Sequence, residues 1–140
     1  MADEIYELSC NVDDMTGEEM SFAMERIMDA GAKDVYVEQI LMKKGRPGMM
    51  LKVMVEADKK DELAKVIFKH TTTIGIRESQ VMGRYVMRRD ILEADTAYGK
   101  VHVKTSDGFG VNKMKFEYED LKKIALENDM SLYEVRDNLE

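Results

Sequence analysis

The sequence predicts an α+β protein built on a ferredoxin-like sandwich, and two observations lead to this expectation. From about residue 3 to residue 86, alternating apolar runs and runs with helical spacing follow one another as strand, helix, strand, strand, helix, strand. That order is the split βαβ pattern of ferredoxin-like folds. The later residues instead hold short strands at glycine turns and then two helical segments. We therefore expect a βαββαβ subdomain over residues 1–86, with a small β-hairpin plus two-helix subdomain over residues 87–140 packed on it.

Composition sets the broad class of protein. The chain has 140 residues, which is long enough to bury a core, and its formal net charge of −7 argues against broad binding to nucleic acid or membrane surfaces. No apolar run approaches the roughly 20 residues that cross a bilayer, and the first residues lack the pattern of a secretory signal. The one cysteine, Cys10, is typical of a reducing compartment. We expect a cytoplasmic protein that binds neither nucleic acid nor membrane.

The first strand and the first helix have the clearest local signals. Residues 5–12 alternate loosely between apolar and polar side chains, which predicts a strand. Over residues 16–30 the apolar side chains recur every three or four positions, which predicts a helix with one apolar face. Thr16 and Glu19 have the spacing of a capping box at the helix start, and Gly31 follows as a C-terminal glycine.

The next segments complete the βαββαβ order. Residues 34–42 are apolar on both faces, which predicts a buried strand in the centre of the sheet. Two glycines and the only proline predict a turn over residues 43–48, and a third strand follows it. Asp58 is expected to cap a second helix, which ends at Thr71–Thr73 because consecutive β-branched residues disfavour its continuation. The fourth strand is expected to start at Gly75.

The C-terminal part has its own elements. Three short strands are expected over residues 86–96, 100–104 and 111–116. Two amphipathic helices follow them, and Ser131 and Glu134 have the spacing of a second capping box at the start of the last helix.

An acidic segment lies where the first strand ends and the first helix begins. The capping box accounts for Thr16 and Glu19, whereas Asn11, Asp13 and Asp14 have no evident structural role there. Their hard oxygen atoms are ligands that Mg²⁺ or Mn²⁺ accepts, often alongside the phosphates of a substrate. A solvated acidic turn is the alternative interpretation.

The turn over residues 43–48 carries three cations, Lys43, Lys44 and Arg46, on a backbone made flexible by glycine. Arginine binds two phosphate oxygens at once and lysine adds a point charge, so this turn suits phosphate. The glycine spacing and the terminal Lys-Ser/Thr of a Walker A loop are missing. An exposed basic hairpin is the alternative.

Two more segments carry groups that suit oxyanions. The segment with Thr72, Thr73 and Arg77 combines hydroxyls with a glycine backbone that can cradle an oxyanion, although its threonines also serve as a helix stop. Lys113 and Lys115 alternate on a predicted strand and point to one face, where they hold phosphate or merely solvate an edge strand.

Other kinds of site find little support in the sequence. His70 and His102 are far apart and lack the spacing of a zinc or nickel site. A single cysteine such as Cys10 is more often a small buried apolar residue than a nucleophile.

Five segments together resemble the C-terminal domain of the LarC family, the nickel insertion proteins that complete the nickel-pincer nucleotide cofactor of lactate racemase. They are residues 11–18, 31–36, 42–48, 71–77 and 115–120. The resemblance spans nearly the whole chain in order, which makes it far more specific than any one motif. Phe116 stands where the family usually has proline, and the family's N-terminal domain is absent from this chain.

The resemblance implies part of a CTP-dependent nickel insertase, a chelatase of the lyase class. The substrate implied is pyridinium-3,5-bisthiocarboxylic acid mononucleotide, with nickel as the inserted metal. In this family the C-terminal domain binds CTP with Mn²⁺ or Mg²⁺. On that basis Asp13, Asp14 and Glu18 are expected to hold the cation. The nucleotide is expected to contact Lys43, Lys44, Arg46, Thr72, Thr73, Arg77, Lys113 and Lys115.

The resemblance also implies a homo-oligomer and a partnership with the N-terminal nickel-insertase domain, either fused or as a separate chain. Full insertase activity is expected to need that domain. The competing hypothesis is a non-enzymatic ferredoxin-like module that mediates oligomerisation or senses a small ligand through its methionine-rich faces.

Overall fold

The computed structural model describes residues 4–139, and contacts divide the chain into two compact units, Met1–Arg84 and Tyr85–Glu140. This division falls close to the boundary expected after residue 86. The packing of the second subdomain on the first stays a prediction.

The first unit is a four-stranded antiparallel sheet with two helices. Its elements are β1 (Ile5–Val12), α1 (Gly17–Asp29), β2 (Asp34–Met42), β3 (Arg46–Glu56), α2 (Lys60–His70) and β4 (Arg77–Val81). The strands lie in the order β2-β3-β1-β4, and each neighbouring pair is antiparallel. This confirms the predicted ferredoxin-like arrangement and puts β1 and β3 in the centre of the sheet.

One face of this sheet packs against the helices. Alternate residues of the central strands point to that side, and α1 and α2 present apolar residues three and four positions apart. The buried side chains of this core include Leu8, Cys10, Val12, Met20, Ile27, Leu51, Val53, Leu63 and Ile67. The core therefore fixes where each helix begins and ends relative to the ends of the strands.

The start of α1 has the predicted capping box. The Thr16 hydroxyl accepts a hydrogen bond from the Glu19 N–H (3.1 Å), and the Glu19 carboxylate accepts one from the Thr16 N–H (3.0 Å). At the other end Gly31 has a φ of 108°, a left-handed conformation that favours glycine. Local signals therefore set both ends of α1.

The prediction that residues 34–42 form a central strand is wrong, because β2 is an edge strand. Its apolar side chains on both faces gave the appearance of a buried strand, yet Leu41 is 75 % exposed and Tyr36 is 38 % exposed. β2 pairs with β3 on one side only, and β1 and β3 occupy the centre of the sheet. Apolar surface is therefore exposed on both faces of β2, at Leu41 on the face that carries Val35 and Val37 and at Tyr36 on the other.

Three element boundaries also differ from the sequence prediction. The turn after β2 is a short 3₁₀ segment, Lys43–Gly45, and the proline and second glycine belong to β3. Asp58 does not cap α2, since the residue at the N-cap is Lys59 and it makes no side-chain capping bond. β4 begins at Arg77 rather than at Gly75.

On the open face of the first sheet, Lys52 of β3 lies between acidic residues of both neighbouring strands. Its Nζ is 3.1 Å from Glu38 Oε1 on β2 and 3.9 Å from Glu7 Oε1 on β1. The hydrogen bond with Glu38 is the main cause that raises the pKa of Lys52. The Lys52 side chain thus links its own strand to both neighbouring strands.

The second unit is a three-stranded antiparallel sheet followed by two helices. Its elements are β5 (Arg88–Thr96), β6 (Gly99–Gly108), β7 (Val111–Phe116), α3 (Tyr118–Asn128) and α4 (Leu132–Leu139). The predicted hairpin is β5–β6, and β7 extends it to the order β5-β6-β7. Its separate core contains Val101, Val103, Phe116, Leu121, Ile124 and Val135. The predicted Ser131–Glu134 capping box is present at the start of α4.

No helix among residues 4–139 is long and apolar enough to span a membrane.

Candidate functional site

The acidic joint, residues 13–15, connects β1 to the N-cap of α1. Its flanks are anchored in the core, since Val12 is 3 % exposed and Met20 is 2 % exposed. Asp13 and Asp14 lie at the surface between these anchors. The joint therefore presents two carboxylates from a short segment with both ends held in place.

Asp13 pairs with the arginine of the basic turn. Arg46 Nη1 lies 3.3 Å from Asp13 Oδ2, and the Asp13 side chain is 23 % exposed. Antiparallel pairing of β1 with β3 explains the contact, because Val12 lies opposite Met49 and the first residue of β3 therefore comes near the end of β1. Two segments that the sequence singled out separately meet at this point.

Asp14 pairs with the hydroxyl segment. The Thr72 hydroxyl donates a hydrogen bond to Asp14 Oδ1, although the two residues are 58 positions apart in the chain. β4 is the other neighbour of β1, and Arg77 at its start lies opposite Ser9. The segment between α2 and β4 therefore returns to the end of β1.

The other two threonines bind their own loop. The Thr71 hydroxyl donates to the Ile67 carbonyl oxygen (2.7 Å), and the Thr73 hydroxyl donates to the Gly75 carbonyl oxygen (2.8 Å). These bonds shape the segment as it leaves α2. Among the three hydroxyls, Thr72 is the one directed at the acidic joint.

Arg77 extends the cluster on the other side of β1. Its Nη2 donates a hydrogen bond to Asn11 Oδ1 (2.9 Å). Nearby, burial raises the pKa of the Cys10 thiol, while the Thr73 hydroxyl and the Arg77 charge oppose that shift to a smaller degree. A raised thiol pKa fits the interpretation of Cys10 as a core residue, since the thiolate is the nucleophilic form.

The remaining predicted residues of the first unit stand apart from these pairs. Lys43 and Lys44 are exposed in the 3₁₀ turn and form no ion pair within the described part of the chain. Glu18 is exposed in the first turn of α1. Among residues 4–139, no three His, Cys, Asp or Glu side chains are grouped to hold a metal ion. The metal role of Glu18 and the nucleotide role of the two lysines stay predictions.

Lys113 and Lys115 belong to the second unit. Both lie on β7, where Lys113 is opposite Ser106 and Lys115 is opposite Lys104. They share a face of that sheet, as the alternation predicted. Their contact with nucleotide phosphates stays a prediction.

A groove beside the acidic joint was not predicted from the sequence. It has a volume of about 480 Å³ and is lined by Val12, Asp13, Met15, Gln39, Ile40, Leu41, Pro47, Gly48 and Met49. Gly48 permits the close approach of β1 and β3, because a Cβ there would lie 2.8 Å from the Val12 carbonyl oxygen. The sequence signal for this surface is the apolar character of both faces of β2, from which burial was predicted.

Fold and site together define an α+β protein with a ferredoxin-like unit. Its clustered carboxylates, arginines and a threonine lie at one end of the central strand β1. The chain belongs to the nickel insertion protein family, whose profile matches residues 1–136.

Curated relatives agree with this membership. The chain is 39 % identical over 137 residues to the pyridinium-3,5-bisthiocarboxylic acid mononucleotide nickel insertion protein of Alkaliphilus metalliredigens, covering 98 % of this chain and 32 % of that protein. It is 40 % identical over 131 residues to the protein of the same name from Clostridium kluyveri, covering 93 % of this chain and 33 % of that protein. The chain thus spans about a third of the length of these relatives.

One solved structure indicates which part of the family's proteins this chain corresponds to. The chain is similar to LarC2, the C-terminal domain of a cyclometallase involved in the synthesis of the NPN cofactor of lactate racemase. The TM-score is 0.90 at 35 % identity, covering 97 % of this chain and 94 % of that one. A second neighbour, protein MK0293 from Methanopyrus kandleri, has a TM-score of 0.73 at 23 % identity, covers 94 % of this chain and 81 % of that one, and supports the fold alone.

Proposed function

We propose that the acidic joint binds CTP together with Mn²⁺ or Mg²⁺, as part of nickel insertion into pyridinium-3,5-bisthiocarboxylic acid mononucleotide. One observation carries this proposal. Three segments that are distant in sequence meet at the joint, where Asp13 contacts Arg46 and Asp14 contacts Thr72. Each carboxylate is therefore paired with a group that also binds phosphate oxygens.

The pairs suggest how a metal–nucleotide complex binds. In the complex, the carboxylates of Asp13 and Asp14 bind the cation. Arg46 and Thr72 then bind the phosphate oxygens that the cation carries. Mg²⁺ commonly takes one or two carboxylates and completes its shell with substrate phosphates and water, so two carboxylates suffice as protein ligands. The bound cation would neutralise charge on the phosphates during transfer chemistry.

The residues around these pairs have supporting roles in the proposal. Lys43, Lys44 and Arg77 add positive charge near the phosphates, Glu18 adds a carboxylate near the cation, and Thr73 shapes the loop that carries Thr72. We place the protein in the cytoplasm, and we assign the nickel chemistry to an assembly with the N-terminal nickel-insertase domain.

Calorimetric titration of CTP, with Mn²⁺ and again with chelator, tests the proposal. Parent protein is expected to bind CTP only with Mn²⁺, and Asp13→Asn with Asp14→Asn is expected to weaken binding by at least about a hundredfold, because two charged ligands are lost. Asp58→Asn is the matched control, since Asp58 is exposed and lies at the opposite end of α2 from Thr72. Equal binding by the folded double variant would refute the site.

A second candidate function, self-association, is favoured by the edge strand β2. Leu41 is 75 % exposed at an edge that presents unpaired backbone N–H and C=O groups to another chain. We propose a homo-oligomer in which this edge takes part. This function is compatible with nucleotide binding at the joint.

A further inference from the structure

A basic face of the second unit lies outside the site proposed above. Side chains directly opposite each other in an antiparallel sheet lie on the same face, as do side chains two positions apart on one strand. On this face two adjacent rows cross all three strands. They are Arg89–Ser106–Lys113 and Ile91–Lys104–Lys115. Four cations from three strands therefore share one small surface, named here the basic face.

Most of this positive charge has no ion-pair partner in the part of the chain that the structure describes. Arg89, Lys113 and Lys115 form no ion pair with any of residues 4–139, whereas Lys104 Nζ lies 2.9 Å from Glu117 Oε1. Since the whole chain has a net charge of −7, an unpaired cluster of cations is a local exception to the overall charge. It favours a small anionic ligand.

The spacing of the rows suits a phosphate group. Directly opposite side chains have Cβ atoms roughly 5 Å apart, so the long side chains of two neighbouring cations reach one phosphate. Residues of β5 and β6 around this position line a cavity of about 490 Å³. They are Arg89, Asp90, Ile91, Lys104, Thr105 and Ser106. Ile91 is 60 % exposed and adds apolar surface beside the cations.

We propose that the basic face binds the phosphate monoester of a pyridinium mononucleotide, the substrate class named under the proposed function, on which this assignment rests. The two rows contain four cations and no carboxylate, whereas Mg²⁺ that carries phosphates commonly takes one or two carboxylates from the protein. A phosphate monoester arrives without a metal and needs only cations and a hydroxyl. Ile91 then contacts the ring.

The proposal is tested by titrating nicotinic acid mononucleotide into the whole chain in the presence of chelator. Binding is monitored by NMR. This probe has the pyridinium ring, a carboxylate and the 5′-phosphate without the sulfur atoms. Parent protein is expected to bind it, and Arg89→Ala with Lys104→Ala is expected to weaken binding at least about tenfold. The riboside that lacks the phosphate is expected not to bind.

Lys100→Ala is the matched control, because it removes a lysine from the same face of β6 at the end where Lys100 Nζ lies 3.9 Å from Glu93 Oε2. Its affinity should equal that of the parent. Equal weakening by Lys100→Ala, equal binding of the riboside, or no binding to the folded parent would overturn the proposal.

A CTP–Mn²⁺ titration of the same variants separates the two proposed sites. Arg89→Ala with Lys104→Ala is expected to keep CTP–Mn²⁺ affinity, and Asp13→Asn with Asp14→Asn is expected to keep mononucleotide affinity. Loss of CTP–Mn²⁺ binding in the Arg89/Lys104 variant would assign the basic face to the nucleotide triphosphate and overturn the mononucleotide assignment.

Discussion

Asp13 and Asp14 each face a partner that binds phosphate as readily as it binds a carboxylate. A bare cation at the joint competes with the Arg46 guanidinium and the Thr72 hydroxyl for these carboxylates. A cation that carries phosphates supplies both displaced groups with new oxygen partners. The proposed site therefore favours the metal–nucleotide complex over either component alone.

Thr72 gives the sharpest residue-level prediction. Thr72→Val keeps the shape of the side chain but removes its hydroxyl, and we expect CTP affinity in Mn²⁺ to fall by about tenfold while the melting temperature changes little. Thr71→Val is the control, because its hydroxyl bonds the Ile67 carbonyl oxygen and its loss should affect stability instead. Calorimetry and thermal melts distinguish the two. An unaltered CTP affinity in Thr72→Val would remove this threonine from the site.

The contacts between Asp120 and His102 lead us to expect that the stability of the second unit depends on pH. Its carboxylate accepts hydrogen bonds from the His102 N–H (2.6 Å) and pairs with His102 Nδ1 (2.9 Å). The backbone hydrogen bond is the main cause that holds the pKa of Asp120 below its ordinary value of 3.8. The ionised carboxylate therefore stabilises the fold above that pH, and the stabilisation is lost as pH falls through the lowered pKa.

We expect Asp120→Ala to lower the free energy of unfolding at neutral pH by about 1–2 kcal/mol. The difference from the parent should shrink below pH 3.8. Denaturant unfolding at several pH values measures this, with Glu119→Ala as an exposed neighbouring control. A difference that stays constant down to low pH would contradict the role of the ionised carboxylate.

At the scale of elements, the exposed edge of β2 leads to a prediction about self-association. Leu41→Lys places a charge on the exposed edge and should shift the protein toward smaller assemblies, because charged edge strands resist pairing. Leu126→Lys on α3 is a matched control, since Leu41 and Leu126 are both 75 % exposed. Light scattering across a concentration series measures the mass. Equal dissociation of the two variants, or a parent that stays monomeric, would argue against association through the edge of β2.

The elements themselves were largely predictable from sequence. Helix α1 follows from its apolar period and from the Thr16–Glu19 box, and both are local signals. The position of β2 was not predictable, because apolar side chains on both faces of a strand look alike whether the second face meets a helix, another subunit or solvent. Strand order depends on contacts between distant segments.

The candidate site was predictable in its residue types but not in its pairings. Carboxylates, cations and hydroxyls at element ends identified Asp13, Arg46 and Thr72. Their mutual contacts arise because β1 lies between β3 and β4 in one antiparallel sheet. The basic face of the second unit was likewise not predictable from sequence. Arg89, Lys104 and Lys113 come together only because of the register of three strands.

At the scale of the whole molecule, each unit has its own core. We expect residues 1–84 expressed alone to fold and to bind CTP with Mn²⁺ within about threefold of the whole chain, because all proposed contacts of the joint lie in that unit. Circular dichroism and calorimetry test this. A folded fragment that binds CTP far more weakly would show that Lys113, Lys115 or other residues of the second unit contribute.

The Lys52 contact with Glu7 has a consequence at the other end of these strands. A slip of two residues between β1 and β3 would return every side chain to its own face and preserve an apolar core, yet it would carry Arg46 about 7 Å along the sheet, away from Asp13. In the slip that sets Lys52 opposite Asn11, the Glu7–Lys52 contact is lost and Glu7 comes to lie opposite Glu56. Like charges directly opposite each other are destabilising, so the charges of the open face oppose this misaligned register and favour the one that joins Arg46 to Asp13.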